Sequence, residues 1–320
     1  MPRPSPWPPE NGPTASSSRS EGGATAAVFS AIDRFVPELP EVEFARSCLS
    51  RWLGGRTLRK VEADPTRVIR GASPKAFAAL AGDRVTKVER RGKWLLWRFT
   101  SERGLLAHLG MTGKFEIAAA GTPSVRWSRV RFTRSDGAVV HYRDPRQFGH
   151  VRIAPLSVLL TTEPLKSLGP DAKDHPPSTS TLSARLRKSR RKVKEVLMDQ
   201  TVLAGLGNIQ ATEALFLARV HPARRADSLT LGEVGRIRQA ITKSLARTLA
   251  MNRGDKITYV EESKRVKNPF HVYGKANSPC PRCRTPLEKM VIGGRTSAFC
   301  EACQPRSPGR QVEGRARRKA

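Results

Sequence analysis

Four of the five cysteines form two closely spaced pairs near the end of the chain. Cys280 and Cys283 make one C-x-x-C pair, Cys300 and Cys303 make the other, and sixteen residues separate the pairs. This spacing is typical of a tetrahedral zinc site. Because four thiolates leave no ligand position open for water, we predict one structural Zn²⁺ and no catalytic metal. Metal ligation also indicates a reducing compartment.

The segment between the cysteine pairs, residues 291–299, predicts a β-hairpin with Arg295 near its tip. An arginine at such a tip can bind an anion. An ordinary surface arginine fits the same pattern, so the residues alone leave both interpretations open.

Two acids lie at the start of a predicted amphipathic helix that begins near Pro40 and ends at Gly54-Gly55. Its apolar positions recur at helical spacing and are Val42, Ala45, Leu49, Trp52 and Leu53. Carboxylates such as Glu38 and Glu41 commonly cap a helix start. On their own, the two residues leave open whether they only cap the helix or also take part in catalysis.

A strongly basic segment precedes a glycine-rich turn. Residues 185–194 contain seven basic residues and no acid. The glycines of Gly205-Leu206-Gly207 permit a tight turn, Asn208 can cap the next helix, and the N–H groups of that helix start can bind a phosphate. A charge run is often only a solvated face, but beside this turn it favours phosphate binding.

The rest of the chain supplies the elements that must position these residues. Residues 84–153 have the alternation of a β-sandwich or barrel, with a turn at Ser135-Asp136-Gly137. Residues 182–251 are predicted to be helical, and residues 175–181 lack core residues and fit a linker.

Composition indicates the class of binding partner. The chain has 58 Lys+Arg and 28 Asp+Glu, a formal net charge of +30, which predicts a polyanionic partner such as nucleic acid. No apolar run of about 18 residues and no signal-peptide core is present in the sequence, so we expect an intracellular protein without a membrane partner.

Taken together, these motifs resemble the formamidopyrimidine-DNA glycosylases, in the family's order, from Pro37 to about Gln304. The opening segment Pro37-Glu38-Leu39-Pro40-Glu41-Val42-Glu43 is the most specific match. The resemblance implies base-excision repair in which oxidised purines, 8-oxoguanine and formamidopyrimidines, are removed from double-stranded DNA and the abasic site is nicked by β,δ-elimination. It also implies a monomer in the bacterial cytoplasm, associated with the nucleoid.

The resemblance assigns four catalytic residues. Pro37, exposed when the initiator methionine is removed, attacks C1′ of the damaged nucleotide. Glu38 acts as general acid/base, Glu41 supports it, and Lys93 contacts a phosphate near the reacting sugar.

Six further residues are implied as DNA contacts. Three of them fill the space that the extruded nucleotide leaves in the stack, namely Met111, Arg146 and Phe148. The other three are Lys194, Asn208 and Arg295. By residue type alone, Met111 and Phe148 are more typical of a core and Arg146 of a surface.

The position of Pro37 conflicts with this chemistry, because a proline nitrogen inside a chain is a delocalised amide and no nucleophile. Here Pro37 follows Val36. We expect translation to start at codon 36, since valine codons include a common alternative initiator, so that methionine removal frees Pro37. Cleavage by a processing protease and a catalytically silent paralogue are the alternatives.

We therefore predict an α+β protein in which an N-terminal β-sandwich with flanking helices precedes a C-terminal helix-two-turn-helix domain with a zinc-finger β-hairpin. The predicted segments are a disordered extension 1–36, a catalytic sandwich 37–174, a linker 175–181, a helical DNA-binding domain 182–272, a zinc-finger hairpin 273–304 and a basic disordered tail 305–320.

Two departures from the family pattern bear on substrate range. Gln210 and Thr212 replace an aromatic residue and an asparagine, and residues 252–272 differ from the loop that covers the extruded purine in the family. Leu39 and the Met/Arg/Phe triplet favour oxidised purines, while a shift toward oxidised pyrimidines is the alternative. A non-catalytic binder of damaged DNA and a sequence-specific zinc-finger regulator are rivals from other classes.

Overall fold

The computed structural model describes residues 36–123, 125–253, 256–257 and 268–306. These residues belong to one compact unit. The predicted extension 1–36, apart from Val36, lies outside the described residues, as do most of the predicted tail 305–320 and most of the altered loop 252–272.

The first helix, α1, covers Leu39–Leu53, with Pro40 in its first turn and its end at Gly54 as predicted. Eight strands follow, and their bounds are β1 Leu58–Ala63, β2 Val85–Arg91, β3 Trp94–Phe99, β4 Arg103–His108, β5 Lys114–Ala118, β6 Ser128–Arg134, β7 Val139–Arg143 and β8 His150–Pro155. A 3₁₀ helix, Pro74–Leu80, lies between β1 and β2.

The strands form two four-stranded antiparallel sheets, in the orders β1-β6-β7-β5 and β2-β3-β4-β8. Side chains from both sheets share one core, in which the rings of Trp97 and Phe132 lie 4.7 Å apart. The predicted β-sandwich is confirmed.

A helical region follows. Its helices are α2 Leu156–Thr161, α3 Thr179–Arg187, α4 Val193–Met198, α5 Asn208–Ala218 and α6 Leu231–Met251. Short 3₁₀ helices cover Leu165–Ser167 and Ala226–Ser228. Two short strand pairs end the described chain, β9 Asn252–Arg253 with β10 Lys256–Ile257, and β11 Glu288–Ile292 with β12 Arg295–Phe299.

The predicted linker 175–181 overlaps the first three residues of helix α3. Helix α3 begins at Thr179 because the Ser178 hydroxyl accepts the N–H of Thr181 as an N-cap. In sequence, a run of serine and threonine resembles a loop, and the cap is hidden within it.

Helix α1 joins the two hydrophobic cores. Its residues Val42, Ala45 and Leu49 pack into the sandwich, whereas Leu39 packs into the helical cluster with Leu203 and Leu206. The start of α1 therefore lies where the sandwich meets the helices. Among the described residues, no helix has both the length and the apolar composition to cross a membrane.

Candidate active site

The carboxylate of Glu38 is buried against the start of helix α5, with the residue only 2% exposed. Its Oε2 atom accepts the N–H groups of Gly207 at 3.0 Å and Gln210 at 3.0 Å, and Oε1 accepts that of Ile209 at 2.7 Å. These three donors lack partners within their own helix. We predicted that they bind a DNA phosphate. In the structure they bind Glu38 instead.

Two glycines make this approach possible. A Cβ atom at Gly207 would lie 2.4 Å from Cδ of Glu38, and one at Gly205 would lie 2.5 Å from Cδ1 of Leu39. Gly205 also has a φ of 110°, which side-chain-bearing residues rarely adopt. Its carbonyl accepts the N–H of Leu39 at 3.1 Å, so the start of α1 is fastened to the turn before α5.

Glu41 and Glu38 have different hydrogen-bond partners at the start of α1. The Glu41 carboxylate accepts the backbone N–H of Glu38 at 2.7 Å and so caps α1. Burial, and then the nearby charge of Glu38, raise the pKa of Glu41 to about 8. Glu41 is therefore mainly protonated at neutral pH, whereas the Glu38 carboxylate binds the N–H groups of α5.

Lys93 follows the turn between β2 and β3, where Gly92 has a φ of 57°. Burial lowers the pKa of Lys93, as does the positive charge of Arg295, while Glu38 and Glu41 act in the opposite direction. Lys93 thus lies within electrostatic reach of the start of α1 and of Arg295 in the hairpin. The structure brings together all four predicted catalytic residues, since Pro37 immediately precedes Glu38.

Lys194 and Asn208 take positions that differ from those predicted. Lys194 is fully buried, and its Nζ donates to Asn208 Oδ1 at 2.5 Å and to the Ser297 hydroxyl. Burial lowers the pKa of Lys194 to about 7. Asn208 is the first residue of α5 and its side chain does not cap it, because the capping position is Gly207. The two residues connect α4, α5 and the hairpin, and direct DNA contact by either stays a prediction.

Arg295 begins β12, directly after the Gly293-Gly294 turn, and is exposed. Both glycines have positive φ angles, 55° and 70°, as a two-residue hairpin turn of this kind requires. The predicted hairpin with an arginine near its tip is confirmed. Besides burial, the positive charge of its exposed guanidinium lowers the pKa values of the half-buried Lys93 and the buried Lys194.

The four cysteines at the base of this hairpin lie in one cluster. The sulfur atoms of Cys280, Cys283, Cys300 and Cys303 all lie within 4.8 Å of one another. Four sulfurs at about 2.3 Å from a tetrahedral Zn²⁺ would be about 3.8 Å apart, so the cluster fits one ion with little adjustment. These thiolates would hold the zinc, which supplies structure to the hairpin and takes no step in catalysis.

The three predicted stack-filling residues lie on two adjoining loops. Arg146 and Phe148 are exposed, with the guanidinium 4.8 Å from the ring centre, and Met111 is half-buried. Asp144, which sequence reasoning missed, joins the loops. Its buried carboxylate accepts the Thr112 hydroxyl at 2.5 Å and the Gly149 N–H at 2.7 Å. The available signal was an acid at the start of the segment 144–149, which also carries Arg146 and Phe148.

Two other buried residues of α5 make contacts that the sequence did not predict. Glu213 accepts the N–H groups of His271, Val272 and Tyr273 at 2.8 to 2.9 Å, which fastens the chain after the undescribed residues 258–267. Gln210, a departure from the family pattern, bonds Thr248 and Ser244 of α6. The buried amide of Gln210 thus has hydrogen-bond partners inside the helical core. Nothing in the structure explains the other departure, Thr212.

Comparison with known proteins gives a consistent result along the chain. Residues 36–151 match the formamidopyrimidine-DNA glycosylase N-terminal domain, residues 168–260 match the formamidopyrimidine-DNA glycosylase H2TH domain, and residues 277–306 match the zinc finger found in FPG and IleRS.

Bacterial proteins of the same name are similar to this chain over most of its length. The formamidopyrimidine-DNA glycosylase of Bacillus cereus strain ATCC 14579 is 36% identical over 276 residues, which are 85% of this chain and all of the relative. That of Exiguobacterium sibiricum is 37% identical, over 84% of this chain and 99% of the relative.

Solved structures are also similar. The Lactococcus lactis enzyme bound to DNA with an abasic site has a TM-score of 0.75 and 28% identity, over 84% of this chain and all of that one. MutM in complex with DNA containing carbocyclic 8-oxo-G has a TM-score of 0.76 and 30% identity, with the same coverage.

Proposed function

The chain belongs to the formamidopyrimidine-DNA glycosylase family, and we propose that it excises oxidised purines from DNA through the free amine of Pro37. It is a base-excision repair glycosylase and abasic-site lyase whose zinc finger holds one structural zinc. The observation that carries the assignment of the site is the placement of Glu38 beside Pro37, with its carboxylate held by three N–H groups of α5.

The reaction follows from a secondary amine beside a positioned carboxylate. The Pro37 nitrogen bonds to C1′, the glycosidic bond breaks, and the base leaves with a proton. The C1′–O4′ bond of the sugar then breaks, O4′ gains a proton, and the Pro37 nitrogen loses its own proton and becomes the nitrogen of an iminium. The iminium withdraws electrons, so that loss of a C2′ proton expels the 3′ phosphate. A second elimination expels the 5′ phosphate, and water releases the sugar fragment from Pro37.

Glu38 is the group placed to move protons in these steps. Its two oxygens are fixed by hydrogen bonds from a helix start, so the carboxylate is held in one orientation in the residue that follows the proline. Glu41, with its raised pKa, adds little negative charge beside the amine. Lys93 and Arg295 supply positive charge for the phosphates that flank the lesion.

This chemistry requires a chain that begins at Pro37, because the Val36–Pro37 bond makes the nitrogen an amide. Two comparisons support such a form. The family model begins to match at residue 36, the position that an initiator methionine would take, and 85% of this chain covers the full length of the B. cereus relative. Val36 is 42% exposed, so an amine at Pro37 would open toward solvent.

DNA is bound along the face that carries the arginine hairpin and the two loops. Arg146, Phe148 and Met111 are exposed or half-buried there, and Arg295 is exposed on the hairpin. We assign the first three to the space left by the extruded nucleotide. On this proposal the enzyme acts as a monomer on nucleoid DNA in the bacterial cytoplasm.

Borohydride trapping tests the proposal, because reduction of the iminium leaves protein and DNA covalently joined. Protein that begins at Met-Pro37 should become cross-linked to duplexes with 8-oxoguanine or an abasic site, and Pro37→Gly should do so weakly or not at all. The full 320-residue chain is the matched control and should not trap unless it is processed. A protein that binds lesion DNA tightly and never traps would be a non-catalytic binder.

A further inference from the structure

We propose that Arg90 is a positioning residue that holds Lys93 in register with the acids of helix α1, an inference that rests on the proposed function. Arg90 is the next-to-last residue of β2, and its side chain has no exposed area. A fully buried arginine requires partners for its charge and its five donors, and here those partners come from three separate parts of the chain.

The first partner is helix α1. The Arg90 Nε donates to Oε2 of Glu43 at 2.9 Å. Glu43 lies five residues after Glu38 and two residues after Glu41, so this bond fixes the start of α1 relative to the end of β2.

The second partner is the segment before α3. Asp171 accepts two parallel bonds from the guanidinium, at 2.6 Å and 3.0 Å, and Asp174 accepts a third at 2.5 Å. The paired geometry is one that arginine makes and lysine cannot reproduce.

The third partner is the turn that carries Lys93. The Gly92 carbonyl accepts from Arg90 Nη1 at 2.9 Å, and the Gly92 N–H donates to Asp171 at 2.8 Å. Both peptide groups that flank Gly92 are therefore held, including the one that leads into Lys93. The position of the Lys93 backbone depends directly on the Arg90–Asp171 pair.

The Arg90–Asp171 pair also lies next to the turn before α5, the helix whose N–H groups bind Glu38. Backbone hydrogen bonds join Pro170 and Ala172 to Ala204 at 2.9 and 3.0 Å, and a Cβ atom at Gly92 would lie 3.0 Å from the Ala204 side chain. Ala204 directly precedes Gly205, whose carbonyl binds Leu39. One buried guanidinium thus ties together the Lys93 turn, the start of α1 and the turn before α5.

This arrangement predicts how activity depends on Arg90. Arg90→Lys keeps the charge but loses the paired geometry, and Asp171→Asn keeps the size but loses the carboxylate. We expect each variant of the Met-Pro37 protein to trap abasic-site DNA about 10- to 100-fold more slowly at saturating DNA, because small displacements of reacting groups cost this much. Affinity for a duplex with a tetrahydrofuran abasic analogue should change less than about threefold.

A double-variant test separates positioning from general stability. If Arg90 acts through Lys93, Arg90→Lys combined with Lys93→Ala will trap no more slowly than Lys93→Ala alone. Arg224→Lys is the matched control, because Arg224 is also a buried arginine in an ion pair, with Glu233, but it contacts neither α1 nor the Lys93 turn. It should lower the unfolding temperature and leave the trapping rate of the folded protein unchanged.

The outcomes distinguish the inference from the proposed function. If unaltered Met-Pro37 protein does not trap, the proposed function fails whatever Arg90 does. If it traps and both Arg90→Lys and Asp171→Asn match its rate, or if the Arg90 and Lys93 effects multiply, the positioning role is overturned. If Arg90→Lys does not fold, Asp171→Asn decides alone, in its single form and combined with Lys93→Ala.

Discussion

The carboxylate of Glu38 occupies the space that a side chain at Gly207 would need. Their hydrogen bond is 3.0 Å long, and a Cβ atom on Gly207 would lie 2.4 Å from Glu38 Cδ. The start of helix α1 can therefore meet the start of helix α5 only where the α5 capping position is a glycine. The predicted acid/base depends for its position on a residue 169 positions away.

Gly207→Ala should consequently displace Glu38. The added methyl group overlaps the carboxylate, so we expect a loss of about 1–3 kcal/mol in unfolding free energy and a trapping rate about 10- to 100-fold lower. Chemical unfolding and single-turnover trapping of the Met-Pro37 protein measure the two effects.

The control for this substitution is Gly232→Ala. Gly232 lies in helix α6, and nothing lies within 4 Å of a Cβ atom there. Alanine should stabilise this helix by about 0.4–1 kcal/mol and leave trapping unchanged. Equal trapping by the two variants would contradict the proposed role of the Gly207–Glu38 contact.

The raised pKa of Glu41 predicts that the free energy of unfolding depends on pH. Its pKa is raised from 4.5 to about 8 in the folded state, so the folded state holds a proton that the unfolded state releases between these values. Its contribution is present below about pH 4.5 and is lost as pH rises toward 8. Glu41→Gln stays neutral and keeps an acceptor for the Glu38 N–H. Urea unfolding should show the variant gaining stability relative to the unaltered protein between pH 5 and pH 8, on the order of a few kcal/mol. A pH-independent difference would contradict the assignment.

Phe148 should matter for extrusion and little for folding, because the residue is 45% exposed. Phe148→Ala should slow excision of 8-oxoguanine from a duplex about tenfold or more, since the vacated stack is left unfilled, and affect cleavage of a pre-formed abasic site much less. Leu231→Ala, at a residue 53% exposed on α6, is the control and should alter neither rate. Equal losses on both substrates would instead place Phe148 in a general binding role.

Zinc should be needed to hold the hairpin that contacts Lys194. Cys280→Ser is expected to reduce bound zinc from one ion per chain toward none and to slow trapping on the order of tenfold or more, because Ser297 and Arg295 lose their support. Metal analysis by mass spectrometry measures the first effect. Cys48→Ala, a buried cysteine of α1 outside the cluster, should retain the full zinc content. Normal zinc content in Cys280→Ser would contradict the four-thiolate site.

Local patterns were sufficient for much of the fold. Signals within a few residues predicted three features. Pro40 and Gly54 mark the two ends of α1, residues 135–137 form the turn between β6 and β7, and Gly293-Gly294 form the turn of the zinc-finger hairpin. Those signals act on the backbone nearby, and the structure agrees with each of them.

Long-range contacts account for what the sequence did not reveal. Glu38 was expected to cap a helix or act on DNA, and the α5 start was expected to bind phosphate, but the two satisfy each other across the chain. Three further features also depend on how separate elements pack: the burial of Lys194, the contact of Asp144 with the adjoining loop, and the Arg90–Asp171 pair. No local spacing encodes such contacts.

The most direct test of the proposed chemistry is to map the trapped residue. Protein beginning at Met-Pro37 is reduced with borohydride on abasic-site DNA, the complex is digested with protease and nuclease, and the modified peptide is sequenced by mass spectrometry. We predict the sugar remnant on the amine of Pro37. A remnant on Lys93, Lys194 or any other lysine would contradict Pro37 as the nucleophile.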